Sequence, residues 1–487
     1  MALAGIVSSI AADLGEIFLY IGMISYLPLL VALFFHEISM LGPMATAPVA
    51  FTLIGLLLMR IKKAEIEIPL SVALGSVALI WLVSSLVGAL PFVFGLGMPY
   101  TSSVFEAMSG WTSTGLSLMP SVDDAPRTLL FWRSLTQWLG GIGIVALTTA
   151  VASHSSLTHF RLYRSEGRSE AFMPSVVATA MAMWRIYVLL TLLGVGLILL
   201  SGVPLWDAVN IAMTAIATGG FSVHSAGIMY YRNPLLEVLI IPIMIAGALP
   251  FKVYYLMYHR KRLGLFGDAQ AHLLIALILF GSMVAMYDLI VLTSTATMDA
   301  LRQSLFTITS AATCTGFNNA DPFLWPSVTV LFISLFMLIG GSSGSTAGGI
   351  KLSRVILSYE MLIWWFRRLY SSPRAHRALR HEGKPIEHRI AEYEISKNAL
   401  IVVIFVLAVF VATLVVLHFD PSGTLSSSDV LFDVISAMSN VGLSTGYVNP
   451  GMSTASQWMF IFLMWFGRLE VIPVMVVVVG LYRAITG

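Results

Sequence analysis

Four times along this 487-residue chain a short apolar segment runs into a small-residue turn that closes on glycine. The segments are Phe105–Gly115 (FEAMSGWTSTG), Asn210–Gly220 (NIAMTAIATGG), Phe306–Gly316 (FTITSAATCTG) and Phe432–Gly442 (FDVISAMSNVG). Laid over one another without a gap, they hold Ser109, Thr214, Ser310 and Ser436 in one column and the four glycines in another. Each lies between two long hydrophobic runs, so the repeating unit reads as membrane span, short re-entrant helix, glycine turn, membrane span. Non-helical backbone at membrane depth is tolerated only where it is buried in protein or lines a water-filled path. Four such turns in one polypeptide predict a single ring of main-chain carbonyls, the arrangement that replaces a hydration shell in a potassium filter. The expectation is a cation-conducting pore.

Only 11% of the residues are charged and 57% are hydrophobic, with a mean hydropathy of +0.87. Soluble domains carry roughly 25% charged residues, so this composition excludes a soluble monomer. A window of about 20 apolar residues finds ten long spans. Two come first, at 17–35 and 44–60, with no re-entrant segment between them. Eight follow in pairs, each bracketing one glycine turn: 70–96 with 128–151, 183–203 with 233–257, 271–294 with 327–364, and 398–418 with 456–482. The fold expected is an all-α polytopic membrane protein of four pseudo-symmetric units around one pore. Its parts are a two-span appendage over 1–66 and repeats over 67–165, 166–265, 266–390 and 391–487. The first sixteen residues carry no Lys or Arg ahead of the apolar run from Ile17, so no cleavable signal is expected. The single cysteine, Cys314, excludes an internal disulfide framework and lies inside the third turn.

Orientation follows from Lys and Arg, which accumulate in cytoplasmic loops. Arg60, Lys62 and Lys63 follow the second span, Arg161, Arg164 and Arg168 the fourth, and Lys252, Arg260, Lys261 and Arg262 the sixth. Ten more run from Lys351 through Arg374, Arg377 and Arg380 to Lys397. The opposite side has only Arg127, Arg232 and Arg302, alongside Asp123, Asp124, Asp299, Asp321, Asp420 and Asp429. Every glycine turn therefore falls on the outward half, with both termini inside. The basic loops serve topology, or topology together with docking of a cytosolic partner; nothing points to nucleic acid.

A glycine after a short helix is also an ordinary left-handed cap, but four aligned copies favour the filter. The residues ahead of the glycines are Thr112, Ser113, Thr114 before Gly115; Ala217, Thr218, Gly219 before Gly220; Thr313, Cys314, Thr315 before Gly316; and Ser439, Asn440, Val441 before Gly442. They are small or hydroxylated and uncharged, which suits a passage walled by carbonyls rather than a ring of Asp or Glu. Glycine completes each segment because positive φ is cheap only without a Cβ.

These four turns, with LIGGSSGSTAGGIK from Leu338 to Lys351 and FGRLE from Phe466 to Glu470, resemble the Trk/Ktr/HKT superfamily of potassium transporters. The resemblance runs from about residue 17 to the end, and the two extra amino-terminal spans make it most similar to bacterial TrkH-type subunits. It implies potassium uptake through a gated pore in the bacterial inner membrane, with K+ as the transported ion and no cofactor on the chain. It also implies a homodimer and a cytosolic nucleotide-binding regulatory ring of TrkA type. The stretch Gly340, Gly341, Ser342, Ser343, Gly344, Ser345, Thr346, Ala347, Gly348, Gly349 interrupts the eighth run; five glycines, each costing up to about 1 kcal/mol against Ala in a helix, argue against continuous helix. The resemblance makes it an intramembrane gating loop ending at Lys351; a packed small-residue helix seam is the other reading. Arg468, near the middle of the final span, costs at least about 2.5 kcal/mol on insertion scales and needs a partner or water. The resemblance places it below the filter, as an electrostatic barrier holding the loop; a structural arginine satisfying pore-helix carbonyls is the alternative. Arg133 reads as structural.

Two other functions have some footing in the residues. GSSG at 341–344 has the look of a serine turn in an intramembrane protease, but the histidine such a serine requires is missing at membrane depth, the ten histidines lying in loops or at span ends. Symport coupled to sodium or protons would call on intramembrane carboxylates, and Glu106, Asp207 and Asp433 are the sparse candidates beside the short helices. A bare pore suffices energetically, because 100 mV supplies about 2.3 kcal/mol per unit charge.

Overall fold

The computed structural model describes residues 2–61, 69–144, 146, 173, 175–259, 264, 267–370, 380–381, 384–385, 388–419 and 426–486. Lys62, Lys63, Arg161, Arg164, Arg168, Arg260, Lys261, Arg262, Arg374, Arg377 and Asp420 lie outside the described residues, as do the boundaries drawn at 66, 165 and 265.

Helices α1 (Ala2–Ile24), α2 (Leu27–Phe34) and α3 (Leu41–Met59) come first. Gly15 and Gly22 on α1 face Gly55 and Thr52 on α3 so closely that neither has room for a Cβ, a small-residue seam of the kind that joins helices in lipid. Four sets then follow in one order: a long apolar helix, a short buried one, and a second helix that breaks. The first set is α4 (Leu70–Gly88), α5 (Leu90–Leu96), α6 (Tyr100–Trp111) and α7 (Arg127–Ile142). The second is α8 (Val176–Leu199), α9 (Leu205–Ile216), α10 (Pro234–Ala248) and α11 (Phe251–Tyr258). The third is α12 (Ala269–Thr293), α13 (Thr297–Ala312), α14 (Ser327–Ile339) and α15 (Leu352–Leu369). The fourth is α16 (His388–Phe419), α17 (Ser427–Met438), α18 (Thr454–Arg468) and α19 (Ile472–Thr486). The boundary expected at 390 falls in the first turn of α16.

Among the described residues, six stretches are long and apolar enough to cross a membrane: Ile10–Phe34, Ile38–Met59, Leu70–Leu96, Val176–Leu199, Ala269–Thr293 and Ala391–Phe419. The second member of every expected pair is broken instead of continuous. Helix α7 stops at Gly143, whose φ is 92°. Helices α10 and α11 meet at 96°, because Pro250 forces Leu249 out of the helical region to ψ 151°. The chain leaves α14 at Gly340, and α18 is parted from α19 by Glu470 and Val471, at φ 54° and 75°. Arg468 therefore ends a helix, where mid-span was expected.

The short helices α6, α9, α13 and α17 are the interior of the molecule. From Val104, Asn210, Phe306 and Phe432 onward every residue of each is buried. Their carboxyl ends meet glycines of the second helices: a Cβ on Gly140, Gly247 or Gly467 would overlap the carbonyl of Trp111, Ile216 or Met438. Those three carbonyls occupy the same column of the aligned segments.

Candidate functional site: a closed ring of glycine turns

All four short helices end identically. The N–H groups of Thr114, Gly219, Thr315 and Val441 return to the carbonyls of Ser109, Thr214, Ser310 and Ser436 at 2.8, 2.9, 2.8 and 2.9 Å. The residue before each is left-handed: Ser113, Thr218, Cys314 and Asn440 have φ of 52°, 50°, 55° and 53°. This is a Schellman end capped by non-glycine residues, at a cost of about 1–2 kcal/mol each. The glycine two positions later is thus not the helix cap; it makes a second turn, with φ of 99°, 73°, 83° and 96° at Gly115, Gly220, Gly316 and Gly442. Ser109 and Ser436 hold this turn by accepting from the N–H of Gly115 and Gly442, both at 3.0 Å.

The four turns touch in a cycle. A Cβ on Gly115 would overlap the Gly219 carbonyl oxygen, one on Gly220 that of Thr315, one on Gly316 that of Val441, and one on Gly442 that of Thr114. Segment one meets two, two meets three, three meets four, and four meets one. The twelve residues of the triplets are buried, and in each segment the closing glycine alone is partly exposed. Polar side chains of the triplets bond to their own helices and to neighbouring segments. Ser113 Oγ donates to the Gln137 carbonyl at 3.0 Å, and Asn440 Nδ2 to the Met464 carbonyl and to Thr114 Oγ1, both at 2.9 Å. Cys314 is wholly buried, its thiol set toward the backbone at Gly348 and Gly341. Gln137 sets the second turn apart: its amide donates to the Gly219 carbonyl at 2.6 Å and accepts from the Phe221 N–H at 3.0 Å. Nothing in the linear pattern marked Gln137, since it lies on another segment.

The buried carboxylates brace the chain after the glycines. Glu106 pairs with Arg133 at 2.8 Å, both almost wholly buried, and accepts from Ser117 Oγ and the Leu118 N–H. Arg133 also donates to the Ser222 carbonyl at 3.0 Å and covers the Phe221 ring at 4.0 Å, tying the first turn to the second. Asp433 accepts from Ser444 Oγ at 2.6 Å, from the N–H and hydroxyl of Thr445, and from the Val448 N–H. Glu106 and Asp433 share a column of the alignment. Asp207 accepts from Tyr231 at 2.8 Å, and His224 bridges it to Asp123. Hydrogen bonds from Ser225 and His224 hold the Asp123 carboxyl, in the loop before α7, below its ordinary range. Glu237, on α10, binds Arg302 and Asn319, each at 2.6 Å.

Residues 340–351 form an irregular, mostly buried loop rather than a helix. The Ser342 and Thr346 N–H groups donate to the Ala248 and Gly247 carbonyls at 3.0 and 3.1 Å, inside the bend between α10 and α11. Thr346 Oγ1 reaches the Ile216 carbonyl at 3.0 Å and Thr218 Oγ1 at 3.2 Å. Gly348 lies against the Ser439 carbonyl with no room for a Cβ. The Lys351 ammonium folds back on the Ala347 carbonyl, and Ser343 shares its hydroxyl bond with Ser353. Arg468 locks the loop from the side, donating to the Thr346 carbonyl at 2.8 Å and to those of Gly140 and Gly141. Glu470 turns the other way and pairs with Arg354 on α15. FGRLE therefore grips the loop and the helix that follows it.

The family model for TrkH, described as a cation transport protein, matches residues 44–482. An uncharacterized cation transporter of Methanocaldococcus jannaschii is 33% identical over 475 residues, covering 96% of this chain and 94% of that protein. The Trk system potassium uptake protein TrkH of Salmonella typhimurium is 29% identical, with 82% and 83% covered. TrkG of Escherichia coli, also a Trk system potassium uptake protein, is 28% identical, with 93% and 94% covered. The crystal structure of the potassium transporter TrkH from Vibrio parahaemolyticus superposes with a TM-score of 0.84 at 24% identity, over 96% of this chain and 98% of that one, a likeness of fold. With a family model matching most of its length and a relative 33% identical across nearly all of it, this chain belongs to the TrkH family of cation transport proteins.

Proposed function

We propose that this multi-pass membrane protein takes up potassium through a gated pore, with the membrane potential as driving force. The observation that carries the reading is the closed cycle of four glycine turns, each exposing its glycine while burying its triplet. Carbonyls facing a common axis would replace the hydration shell of K+, and the relatives named as potassium uptake proteins supply the ion. The filter residues are 112–115, 217–220, 313–316 and 439–442. The gate is the loop from Gly340 to Lys351 with Arg468, because it is wedged among the ends of α9, the α10–α11 bend and the fourth turn. Four repeats, 67–165, 166–265, 266–390 and 391–487, would surround the pore, and 1–66 would flank it. In a cell the chain would sit in the inner membrane as a homodimer, termini cytoplasmic, on a nucleotide-binding regulatory ring of TrkA type.

Because the family is one of transporters, the hydrolase reading falls away. Symport has less support than a pore: Glu106 and Asp433 are saturated by hydrogen bonds that shape the chain after the turns, which leaves them poorly placed to carry protons. The deciding experiment is reversal potential in liposomes holding the purified protein, with potassium, sodium and proton gradients imposed separately. A reversal that tracks potassium alone supports the pore; one that moves with a sodium or proton gradient at fixed potassium sinks it.

A further inference from the structure

The break that separates α18 from α19 opens a groove. With Glu470 and Val471 at positive φ, α19 is parted from α18 and packs along α4, where Gly75 meets Val476 and Val477. A cavity of about 610 Å³ remains between the first turn of α4, the middle of α16 and one face of α19. On α19 the lining residues fall at 472, 475, 476, 479, 480 and 483, the i, i+3, i+4, i+7 stripe of a helix face that packs against an apolar neighbour. Across from them stand Leu400, Ile401 and Ile404. The floor is Val471 and Ile472. The stripe ends in Arg483, whose exposed guanidinium has no carboxylate partner among the described residues; Ser71 lies at the same end. An apolar channel with one cation at its mouth among the described lining residues matches one chemistry: a hydrocarbon chain joined to an anion.

We propose that this groove is a binding site for an anionic phospholipid, one acyl chain lying along α19 to Val471 and the phosphate held at Arg483. The volume is in the range of sites that enclose small ligands, and basic residues between membrane helices are a recurring means of holding anionic headgroups. The site requires only that the chain be a membrane protein, so it stands or falls independently of the filter and the gate.

Gly480 offers a clean way to close it. A Cβ there would meet nothing within 4 Å, and replacing a glycine inside a helix favours the helix, so Gly480→Phe should fold and fill the groove. The test is native mass spectrometry of purified protein titrated with phosphatidylglycerol or phosphatidylcholine. Wild type should retain phosphatidylglycerol in preference to phosphatidylcholine. Arg483→Gln should remove about fivefold of that preference, the worth of one arginine near the headgroups, and leave phosphatidylcholine binding in place. Gly480→Phe should lower retention of both. The proposal is overturned if Arg483→Gln leaves the preference unchanged, or if Gly480→Phe leaves lipid retention unchanged. It is also overturned if Gly480→Phe converts a dimer to monomer, since a second copy of the chain would then be the occupant.

Discussion

Replacing Gly316 by serine puts two distinct loads on one turn, and the structure separates them. The first is conformational: at φ 83° an L-residue costs about 1–2 kcal/mol more than glycine. The second is steric. The new Cβ would overlap the Val441 carbonyl oxygen, which must retreat by about 1.5 Å to reach ordinary contact. A carbonyl so displaced no longer faces the axis. If the ring binds a bare potassium ion, losing one such contact costs on the order of 1.5–3 kcal/mol, by analogy with hydrogen bonds to charged groups, or roughly ten- to hundredfold in potassium affinity, and this becomes a loss of discrimination where sodium makes no equal use of that carbonyl. The expected result is a fall of about tenfold or more in the potassium over sodium permeability ratio, read from bi-ionic reversal potentials in liposomes. Gly115→Ser, Gly220→Ser and Gly442→Ser should behave alike, since each glycine abuts the carbonyl of the next segment in the cycle. Gly97→Ala is the control: its φ is 66° but nothing lies within 4 Å of the added Cβ, so it should lower thermal stability by the conformational term and leave selectivity alone. Two or more ring variants with wild-type selectivity, correctly inserted, would refute the reasoning.

Three other outcomes are expected. Arg468→Ala removes the donors that pin the Thr346, Gly140 and Gly141 carbonyls and should raise potassium flux several-fold with selectivity unchanged; unchanged or lower flux in folded protein would count against the gate. Glu106→Gln leaves a buried arginine unpaired and should cost about 3–5 kcal/mol, measured as a drop in thermal midpoint in detergent, with Arg133→Gln in the same background costing much less than alone; additive losses would show that the pair does not act as a unit. The depressed carboxyl of Asp123 gives stability that is present above its unfolded value of 3.8 and is lost as pH falls through its folded value. The gap in thermal midpoint between wild type and Asp123→Asn should accordingly be constant from pH 5 to 8 and close below about 4; a gap closing near neutrality would implicate His224 instead.

Much of this molecule was legible in the linear chain, because bilayer constraints act locally. Hydropathy located the long helices to within a turn or two, except that the first apolar stretch starts near Ile10 and α16 at His388, both earlier than expected. The four aligned segments identified both the short helices and their glycine ends, since positive φ and the absence of a Cβ leave a residue-level mark. The five glycines between Gly340 and Gly349 likewise announced a departure from helix. Other features left no such mark. The pattern put positive φ on the glycines, where it is found, but did not mark Ser113, Thr218, Cys314 and Asn440, which adopt it too as the helix caps, held by bonds from the following N–H that composition does not record. The break at Glu470 and Val471 lies just ahead of Pro473, a helix-ending signal that the continuous apolar run masked; there Arg468 and Glu470 reach opposite partners, the loop carbonyls and Arg354. Gln137 bonding Gly219, Arg133 bonding Glu106 and the closing of turn four onto turn one join residues 27 to more than 300 positions apart. Each is a contact between segments that are individually satisfied, so only their packing in three dimensions could select it.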